Sequence, residues 1–216
     1  LSTQIDIPVQ DALFQFENNK VTAFKASSNG RRVNIESALD HFRAAVHSLP
    51  HAPSLFFVIN VRVDTILPKI TTDKVNSFGI KERIGRGYSE FHGSIPGRIH
   101  NVALAADRVN GTLIPPGETF SFNDTVGDIS AATGYQSAYI IKEGRTVLGD
   151  GGGVCQVSTT MFRAALDAGL PIVERQAHAY RVHYYEDAGY KAGIDATVFS
   201  PSVDLKITND TPTHIL

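Results

Sequence analysis

The sequence contains one cysteine, Cys155, placed between a glycine-rich stretch and a run of hydroxyl residues. The glycines before it are Gly149, Gly151, Gly152 and Gly153, and the hydroxyl residues after it are Ser158, Thr159 and Thr160. Apolar residues then recur at three- and four-residue steps up to Gly169, which predicts a helix that ends at this glycine. Cys155 is therefore expected at or just before a helix N-terminus. The helix dipole and the free N–H groups there favour a thiolate and could also hold an oxyanion.

A cysteine nucleophile needs a base and a group that orients the base. Two histidines and an aspartate follow the cysteine: His178, His183 and Asp195. In an extended segment His178 and His183 would point to opposite faces, because their positions differ by five, an odd number. Only one of them would then face Cys155, and the residues alone do not decide which. They also leave open that Cys155 is a small buried apolar residue and that both histidines are ordinary sheet residues.

The elements that must position these residues are a mixture of helices and strands. In chain order, periodicity and turn residues predict a helix over 96–110, a strand after Pro115-Pro116-Gly117, a hairpin turning at Glu143-Gly144, the cysteine helix, extended segments over 172–178 and 181–185, and late strands over 196–199 and 203–208. The predicted inward faces are Ile99, Val102, Ala106 and Val109 in the first helix and Val157, Met161, Ala164, Ala165 and Ala168 in the cysteine helix.

Residues 1–73 are predicted to form a small α/β module, and residues 74–216 a second, mixed α+β domain. In the first module we expect a hairpin turning at Asn18-Asn19 and a helix capped by Asn34. The apolar face of that helix is predicted as Ile35, Leu39, Phe42 and Val46, and a strand is expected over 54–64. The predicted fold class is therefore α+β, with a glycine-rich loop leading into the cysteine helix and β-strands near the end.

Composition excludes several classes of protein. The 216 residues have a formal net charge of -2 and no basic run longer than two residues, which argues against a nucleic-acid partner. No apolar run is long enough to span a bilayer. The sequence opens at Leu1 without methionine, so we expect any signal or membrane anchor to lie upstream of it. The helix histidines His41 and His47, with His51, lack the Cys, Asp or Glu that would complete a metal site. We expect no metal and no cofactor.

Residues 75–216 resemble the VanW domain, a bacterial cell-envelope family. The matching strings are Arg98-Ile99-His100-Asn101, Leu104-Ala105-Ala106, Asn110-Gly111-Thr112, Pro116-Gly117-Glu118, Phe120-Ser121-Phe122-Asn123, Gly134-Tyr135, Gly151-Gly152-Gly153-Val154-Cys155-Gln156-Val157-Ser158-Thr159, Glu174-Arg175, His178 and Asp195-Ala196-Thr197-Val198. The string around Cys155 is the densest match. Residues 1–73 look, less specifically, like the peptidoglycan-binding module often found before VanW domains.

The resemblance distinguishes between the two histidines. Arg175, His178, Val182 and Tyr184 match the family pattern, Ala179 and Arg181 depart from it, and His183 falls on a variable position. The resemblance therefore implies Cys155 as the nucleophile, His178 as its base and Asp195 as the orienting group. The expected substrate-contacting residues are Gly152, Gly153, Gln156, Ser158 and Arg175. Arg98 and Arg181 are alternatives to Arg175 as a clamp for a substrate carboxylate, and a structural ion pair is an equal alternative for each.

Some VanW-family members are assigned as L,D-transpeptidases, so the resemblance implies a 3–3 cross-link between peptidoglycan stem peptides, formed through a thioester on Cys155. With water as acceptor the same enzyme would be an L,D-carboxypeptidase. The alternative is a non-catalytic peptidoglycan-binding or scaffolding protein linked to glycopeptide resistance. The implied partners are stem peptides, the implied location is extracytoplasmic, at the cell wall or cell surface, and the expected state is a monomer.

Overall fold

The computed structural model describes the greater part of the chain, namely residues 2–17, 20–48, 58–142, 145–187 and 189–216. It divides into two compact units, one of residues 1–15 and 21–77 and the other of residues 16–20 and 78–216. Helices and strands alternate irregularly along both units, so the predicted α+β class is confirmed. The boundary predicted after residue 73 falls inside a 3-10 helix, Thr72–Ser77, at the end of the first unit. The assignment of the units to separate domains stays a prediction.

The first unit contains small antiparallel pairs of strands and one long helix. Its elements in chain order are α1 (Ser2–Ile5), β1 (Leu13–Glu17), β2 (Lys20–Lys25), β3 (Gly30–Val33), α2 (Ile35–Ser48) and β4 (Val63–Ile66). The strands β1 and β2 are hydrogen-bonded neighbours, as the predicted hairpin requires, and its turn at residues 18–19 lies outside the described part. The strands β3 and β4 form a second antiparallel pair.

The helix cap predicted in the first unit is confirmed, whereas the predicted strand starts later than expected. Asn34 caps α2 as predicted, because its Oδ1 accepts the N–H of Ser37 at 3.0 Å. The apolar stripe of α2 is nevertheless exposed, with Ile35 at 61% and Phe42 at 55% relative accessibility. The predicted apolar face of this helix is therefore exposed in the described part of the chain. The strand expected over 54–64 starts later, at Val63, and residues 51–57 lie outside the described part.

The second unit surrounds the cysteine helix with a small sheet, a hairpin and one long helix. Its elements are α3 (Pro96–Val109), β5 (Thr119–Ser121), α4 (Phe122–Val126), β6 (Ser137–Lys142), β7 (Arg145–Asp150), α5 (Val154–Ala168), β8 (Ile172–Glu174) and β9 (Lys206–Thr208), with short 3-10 helices at Ala131–Thr133 and His183–Tyr185. The strands β5, β9 and β8 form an antiparallel sheet with β9 in the centre, and β6 pairs antiparallel with β7.

The core of this unit lies between α5, α3 and the three-stranded sheet. Its largest buried apolar side chains are Phe120, Phe122, Tyr135, Phe162, Leu205 and Ile207. In α5 the predicted inward face is only part of the buried surface, because polar residues such as Gln156 and Arg163 are buried as well. A helix buried on most sides does not display a single apolar stripe in its sequence. In α3, Val102 is buried as predicted, whereas the predicted inward residues Ile99 and Ala106 are exposed and Asn101 and Ala105 are buried instead.

The glycine-containing segment before α3 lies along α5. A Cβ at Gly87 would stand 1.8 Å from the carbonyl oxygen of Thr160, and one at Gly85 would stand 2.4 Å from that of Ala164. Ser89 Oγ and Thr160 Oγ1 are 2.6 Å apart, which is hydrogen-bond distance. Glycine is therefore needed here because the segment touches the backbone of the cysteine helix, and this contact fixes one side of α5.

Candidate functional site

Cys155 is the second residue of α5, as the sequence predicts, and a strained glycine turn leads into it. Gly153 is the N-cap with a φ of 113°, a conformation that other residues rarely adopt. Gly152 has no such φ, but a Cβ on it would lie 2.5 Å from the carbonyl oxygen of Tyr139. The turn is therefore wedged against the β6–β7 hairpin. Only glycine fits both positions. This steric requirement is enough to explain the two glycines, without a contact to a substrate.

Asn101, buried in α3, holds the same turn from the other side. Its Nδ2 donates to the carbonyl oxygens of Gly152 at 3.0 Å and Gln136 at 2.8 Å, and its Oδ1 accepts the N–H of Gln136 at 2.8 Å. All hydrogen-bonding capacity of this amide but one lone pair is used. The side chain therefore connects α3, the start of β6 and the glycine turn, and it fixes the approach of the chain to Cys155.

His178 and Asp195 lie together beside Cys155. Nδ1 of His178 is hydrogen-bonded to Oδ2 of Asp195, and the backbone N–H of His178 donates to the same oxygen at 2.9 Å. The imidazole is also close enough to the Cys155 thiol for a side-chain hydrogen bond and their charges to shift the pKa of each group. Because Nδ1 is occupied by Asp195, Nε2 is the nitrogen that remains for the sulfur. The structure thus brings the three residues into the order thiol, imidazole, carboxylate.

The charges of this trio stabilise one another. Burial by itself would lower the pKa of His178, but hydrogen bonds to Asp195 and Cys155 raise it to about 9. Burial would raise the pKa of Cys155, yet the hydrogen bond and positive charge of His178 bring it below its ordinary value. Hydrogen bonds from His178 likewise lower the pKa of Asp195 against the effect of its burial. These shifts favour a thiolate–imidazolium pair over the neutral pair.

The segment that carries Asp195 is attached to α5 by two buried hydroxyls. Ser158 Oγ donates to the carbonyl oxygen of Ala196 at 2.7 Å. Thr159 Oγ1 accepts the N–H of Ala196 at 3.1 Å and lies 3.2 Å from its carbonyl oxygen. Ser158 is fully buried. The hydrogen bonds of Ser158 and Thr159 to Ala196 therefore position Asp195 relative to Cys155. The contact between Ser158 and a substrate stays a prediction, and the buried position of Ser158 does not support it.

Arg175 also supports Asp195. Its Nε donates to the carbonyl oxygen of Asp195 at 2.7 Å, and its Nη2 is hydrogen-bonded to the carbonyl of Gly193 and lies 3.6 Å from Oδ1 of Asp195. Its guanidinium stacks over the ring of Phe162, 4.9 Å from the centroid. The structure thus places this arginine behind the carboxylate, and its predicted role as a substrate clamp stays a prediction.

Gln156 is buried on the side of α5 that faces the segment before α3. Its Nε2 donates to Ser89 Oγ at 3.0 Å and to the carbonyl oxygen of Glu90 at 2.7 Å, and its Oε1 accepts from Arg98. The side-chain amide is fully engaged inside the protein. Its backbone N–H donates to the carbonyl of Gly153 at 2.9 Å. In the described part of the chain the N–H of Cys155, in contrast, donates no hydrogen bond.

The second histidine candidate, His183, lies apart from this trio. It begins the 3-10 helix His183–Tyr185 and is exposed. The extended segment predicted over 181–185 is therefore wrong, and the alternation argument for choosing between the histidines does not apply. The same 3-10 turn buries Tyr185, whose ring meets that of His178 edge-on at 5.5 Å between centroids. Tyr185 thus packs on the base, while Tyr184 is exposed and lies beside the Arg98 guanidinium.

Sequence reasoning missed three residues of this neighbourhood, Thr197, Val198 and Arg163. Thr197 Oγ1 lies 3.6 Å from Sγ of Cys155, and the carbonyl oxygen of Val198 lies 3.5 Å from the same sulfur. Arg163, on the third turn of α5, is buried and bonded to three backbone carbonyls. Thr197 lies within a motif that the sequence analysis quoted, two residues after Asp195. A charged residue within an apolar helix stripe was the available signal for Arg163.

The described residues contain neither a metal-binding cluster nor a helix suited to a membrane. No group of three or more His, Cys, Asp or Glu is placed to hold a metal ion in the part of the chain that the structure describes. Among the described helices, none combines the length and the apolar character needed to cross a bilayer.

Comparison with known proteins agrees with the resemblance. The family model described as "VanW like protein" matches residues 97–216. The uncharacterized protein YoaR of Bacillus subtilis (strain 168) is 37% identical over 151 residues, which are 70% of this chain and 48% of that protein. The vancomycin B-type resistance protein VanW of Enterococcus faecalis (strain ATCC 700802 / V583) is 36% identical over 114 residues, 53% of this chain and 42% of that protein. No solved structure matches the chain significantly.

The chain thus spans about half the length of the curated relatives that it matches. The matched region, residues 97–216, includes α3 from its second residue onward, the glycine turn, Cys155, His178 and Asp195. The module resembling a peptidoglycan-binding domain falls outside that region and stays a prediction. Since the family model covers more than half of the chain, the protein belongs to the VanW family.

Proposed function

We propose that this protein is a cysteine acyltransferase of the bacterial cell envelope, an L,D-transpeptidase that acts on peptidoglycan stem peptides. The observation that supports it is the arrangement of Cys155, His178 and Asp195 at the start of α5, in which the pKa of the thiol is lowered and that of the imidazole is raised. The name of the Enterococcus faecalis relative, a vancomycin resistance protein, supports a role at the cell envelope. A buried structural cysteine would not need a hydrogen-bonded, carboxylate-oriented histidine beside it.

In the first half-reaction the Cys155 thiolate attacks the carbonyl carbon between the third and fourth residues of a stem tetrapeptide. A C–S bond forms and the peptide C–N bond breaks. The imidazolium of His178 gives its proton from Nε2 to the departing nitrogen, so that D-Ala leaves as a neutral amine. A thioester on Cys155 and a neutral His178 remain. Asp195 keeps Nδ1 protonated throughout, which leaves Nε2 as the nitrogen that exchanges the proton.

The tetrahedral intermediate needs a donor for its oxyanion. The N–H of Cys155 is suited to this role, because it lies in the first turn of α5 and makes no hydrogen bond within the described residues. The positive end of the helix dipole adds to the stabilisation. Removal of one such donor typically costs about 10²–10³-fold in turnover. The side chain of Gln156 is a poorer candidate, because its amide is already engaged.

In the second half-reaction the side-chain amine of the diamino acid in a neighbouring stem attacks the thioester. Neutral His178 accepts a proton from this amine, a C–N bond forms and the Cys155 thiolate leaves, which regenerates the starting pair. The product is a 3–3 cross-link. If water takes the place of the amine, the thioester is hydrolysed and the reaction is that of an L,D-carboxypeptidase.

The test is turnover of a synthetic stem tetrapeptide by the purified protein. Release of D-Ala and an acyl adduct on Cys155 in the intact mass spectrum are expected for wild type, and Cys155→Ala should lose both. His183→Gln, which changes an exposed histidine of the same segment, is the matched control for His178→Gln and should retain activity. A carbapenem of the meropenem type offers a second probe of the thiol, with acylation of Cys155 expected.

Two outcomes would contradict the proposal. Undiminished D-Ala release by Cys155→Ala would exclude a thioester mechanism. Muropeptide binding that survives Cys155→Ala, without any adduct in wild type, would instead indicate a non-catalytic peptidoglycan-binding or scaffolding protein of the envelope. Circular dichroism of each variant separates these outcomes from a loss of fold.

A further inference from the structure

A cavity of about 400 Å³ adjoins the imidazole of His178. Its wall is formed by the loop around His178, the 3-10 turn that buries Tyr185, and residues 191–195. Cys155 is not part of this wall, so the cavity meets the trio at the base and not at the thiol. The volume lies within the range of about 300–1,000 Å³ that small-molecule sites occupy. A molecule in it would touch the part of the site formed by His178 and Asp195.

The charged side chains of the wall are Arg163, His178, Arg181, Lys191, Glu186 and Asp195. Both carboxylates are already neutralised inside the protein. Glu186 accepts two hydrogen bonds from Arg181 at 2.6 Å each, and Asp195 is paired with His178 and Arg175. Among the described residues, neither Arg163 nor Lys191 forms an ion pair with a carboxylate. The cavity therefore has an excess of positive charge.

Arg163 is the more unusual of these two cations. Its side chain is 2% exposed, and its Nε, Nη1 and Nη2 donate to the carbonyl oxygens of Ile194, Tyr88 and Tyr185 at 2.9, 2.8 and 2.7 Å. A guanidinium has five N–H donors, so these three bonds leave two unused. A buried cation without a counter-ion is unfavourable, and a bound anion would supply the missing charge. The guanidinium carbon lies 3.9 Å from the centroid of the Tyr190 ring. This cation–π contact stabilises part of the positive charge even when no anion is bound.

The arginines that the sequence suggested as carboxylate clamps are engaged elsewhere. Arg98 contacts Gln156 and Ser94, Arg175 supports Asp195, and Arg181 is held in a bidentate pair with Glu186. Each of these contacts would have to break before the side chain could bind a ligand. Arg163 has two N–H groups left beside its three carbonyl bonds, and Lys191 is exposed without an ion pair among the described residues, so a carboxylate could be bound without breaking these contacts.

We propose that this cavity binds the terminal carboxylate of the residue that leaves when Cys155 is acylated, with Arg163 and Lys191 as the recognising cations. The assignment rests on the proposed function, because the leaving residue is located next to His178 only if His178 donates a proton to it. The nitrogen that receives this proton lies against Nε2, so the rest of the leaving residue extends toward the wall that contains His178. A carboxylate there meets two positive charges and would be fixed by charge-assisted hydrogen bonds.

The first experiment measures binding without turnover. The probes are N-acetyl-D-alanine and its C-terminal carboxamide, titrated into the isotope-labelled full chain and followed by amide chemical shifts in NMR. We expect the carboxylate to bind roughly tenfold more tightly than the carboxamide, as loss of a charge-assisted contact predicts. The shifts should concentrate at residues 177–182 and 191–194. Equal affinities, or shifts confined to other parts of the chain, would overturn the proposal.

Variants at Lys191 sharpen this test, since the exposed side chain can be changed without disturbing the core. Lys191→Gln should reduce the preference for the carboxylate several-fold, and Lys191→Arg should retain it. Lys81→Gln, which removes an exposed lysine of the same unit outside the cavity wall, is the matched control and should behave as wild type. An unchanged preference in Lys191→Gln would contradict the assignment.

The second experiment separates this inference from the proposed function. Stem tetrapeptides ending in D-Ala and in its carboxamide are compared as donors. Lys191→Gln should lower kcat/KM for the acid about tenfold and for the amide less than about twofold. If wild type forms no thioester with either donor, the transpeptidase proposal fails, whereas the binding preference still decides whether the cavity recognises a carboxylate. If both donors are affected equally by Lys191→Gln, the transpeptidase stands and the carboxylate site does not.

Discussion

Oδ2 of Asp195 accepts two hydrogen bonds from His178, one from its backbone N–H at 2.9 Å and one from Nδ1 of its ring. One carboxylate oxygen therefore fixes both the backbone and the imidazole of the same residue. The ring cannot rotate to offer Nδ1 to the thiol without breaking the second bond. This double attachment determines that Nε2 faces Cys155, and the charge of Asp195 favours the imidazolium form.

Replacing the carboxylate tests this relationship. In Asp195→Asn the negative charge that stabilises the imidazolium is lost, so the pKa of His178 should fall from about 9 toward its ordinary value. The thiolate fraction at neutral pH then falls, and kcat/KM should drop roughly 10²–10⁴-fold, as for other orienting carboxylates. The rate of Cys155 alkylation by iodoacetamide as a function of pH measures the thiolate directly. Asp107→Asn, on the exposed side of α3, is the control, and an alkylation profile shared by both variants would contradict the role of Asp195.

The stability of the protein should depend on pH through His178. Its pKa is raised from 6.5 to about 9 on folding, so the folded state holds this proton more tightly than the unfolded state. The resulting stabilisation is fully present below about pH 6.5 and is lost as the pH rises through about 9. The free energy of unfolding of wild type minus that of His178→Gln should therefore be larger at about pH 6 than at about pH 10, as measured by urea denaturation. His183→Gln controls for loss of an imidazole in the same segment, and a difference that increases with pH would refute the expectation.

The two arginines on either side of His178 should behave differently. Arg175→Gln removes the bonds to the carbonyl and carboxylate of Asp195, and we expect a loss of about 1–3 kcal/mol in the free energy of unfolding. Arg181→Gln removes an exposed pair with Glu186 and should change the free energy of unfolding little, because solvent screens exposed ion pairs. Arg175→Gln should also shift the pH profile of Cys155 alkylation upward, because Asp195 loses its support. Such a shift would not follow if Arg175 were only a substrate clamp.

The glycine turn should not tolerate a methyl group. In Gly152→Ala the new Cβ would lie 2.5 Å from the Tyr139 carbonyl oxygen and 2.7 Å from Cβ of Ala138, so the hairpin or the turn must move. Overpacking of this kind costs about 1–3 kcal/mol and occasionally more, and the displaced turn should lower Cys155 reactivity as well. Gly117→Ala is the control, since its positive φ strains the backbone by about 1–2 kcal/mol but its Cβ meets open space. Thermal melts combined with alkylation rates test both effects, and normal alkylation in Gly152→Ala would indicate that the turn adapts.

Local signals in the sequence were sufficient for much of the second unit. The glycine run and Gly169 predicted both ends of the cysteine helix, and the structure has them at Gly153 and Gly169. The hairpin of β6 and β7 and the helix α3 followed from periodicity and turn residues in the same way. These predictions succeeded because caps, turns and periodicity depend on a few neighbouring residues.

The faces of the helices were harder to predict. The stripe of α2 is apolar at helical spacing but exposed, and α5 buries Gln156 and Arg163 together with its apolar residues. Periodicity reports where apolar side chains lie on a helix, but the partners that cover them come from distant segments. A buried polar residue is stable only if distant backbone groups satisfy it, as carbonyls do for Arg163.

By itself the sequence determined that Cys155 stands at a helix N-terminus after a turn that only glycine can make, because glycine's backbone freedom and the helix caps are local properties. Tertiary structure decided which polar groups meet there. His178 reaches the sulfur because Asp195 holds it and because Ser158 and Thr159 attach the Asp195 segment to α5. His183, only five residues away, turns into a 3-10 helix and faces solvent. Such choices depend on contacts between residues far apart in the chain, and spacing along the sequence does not encode them.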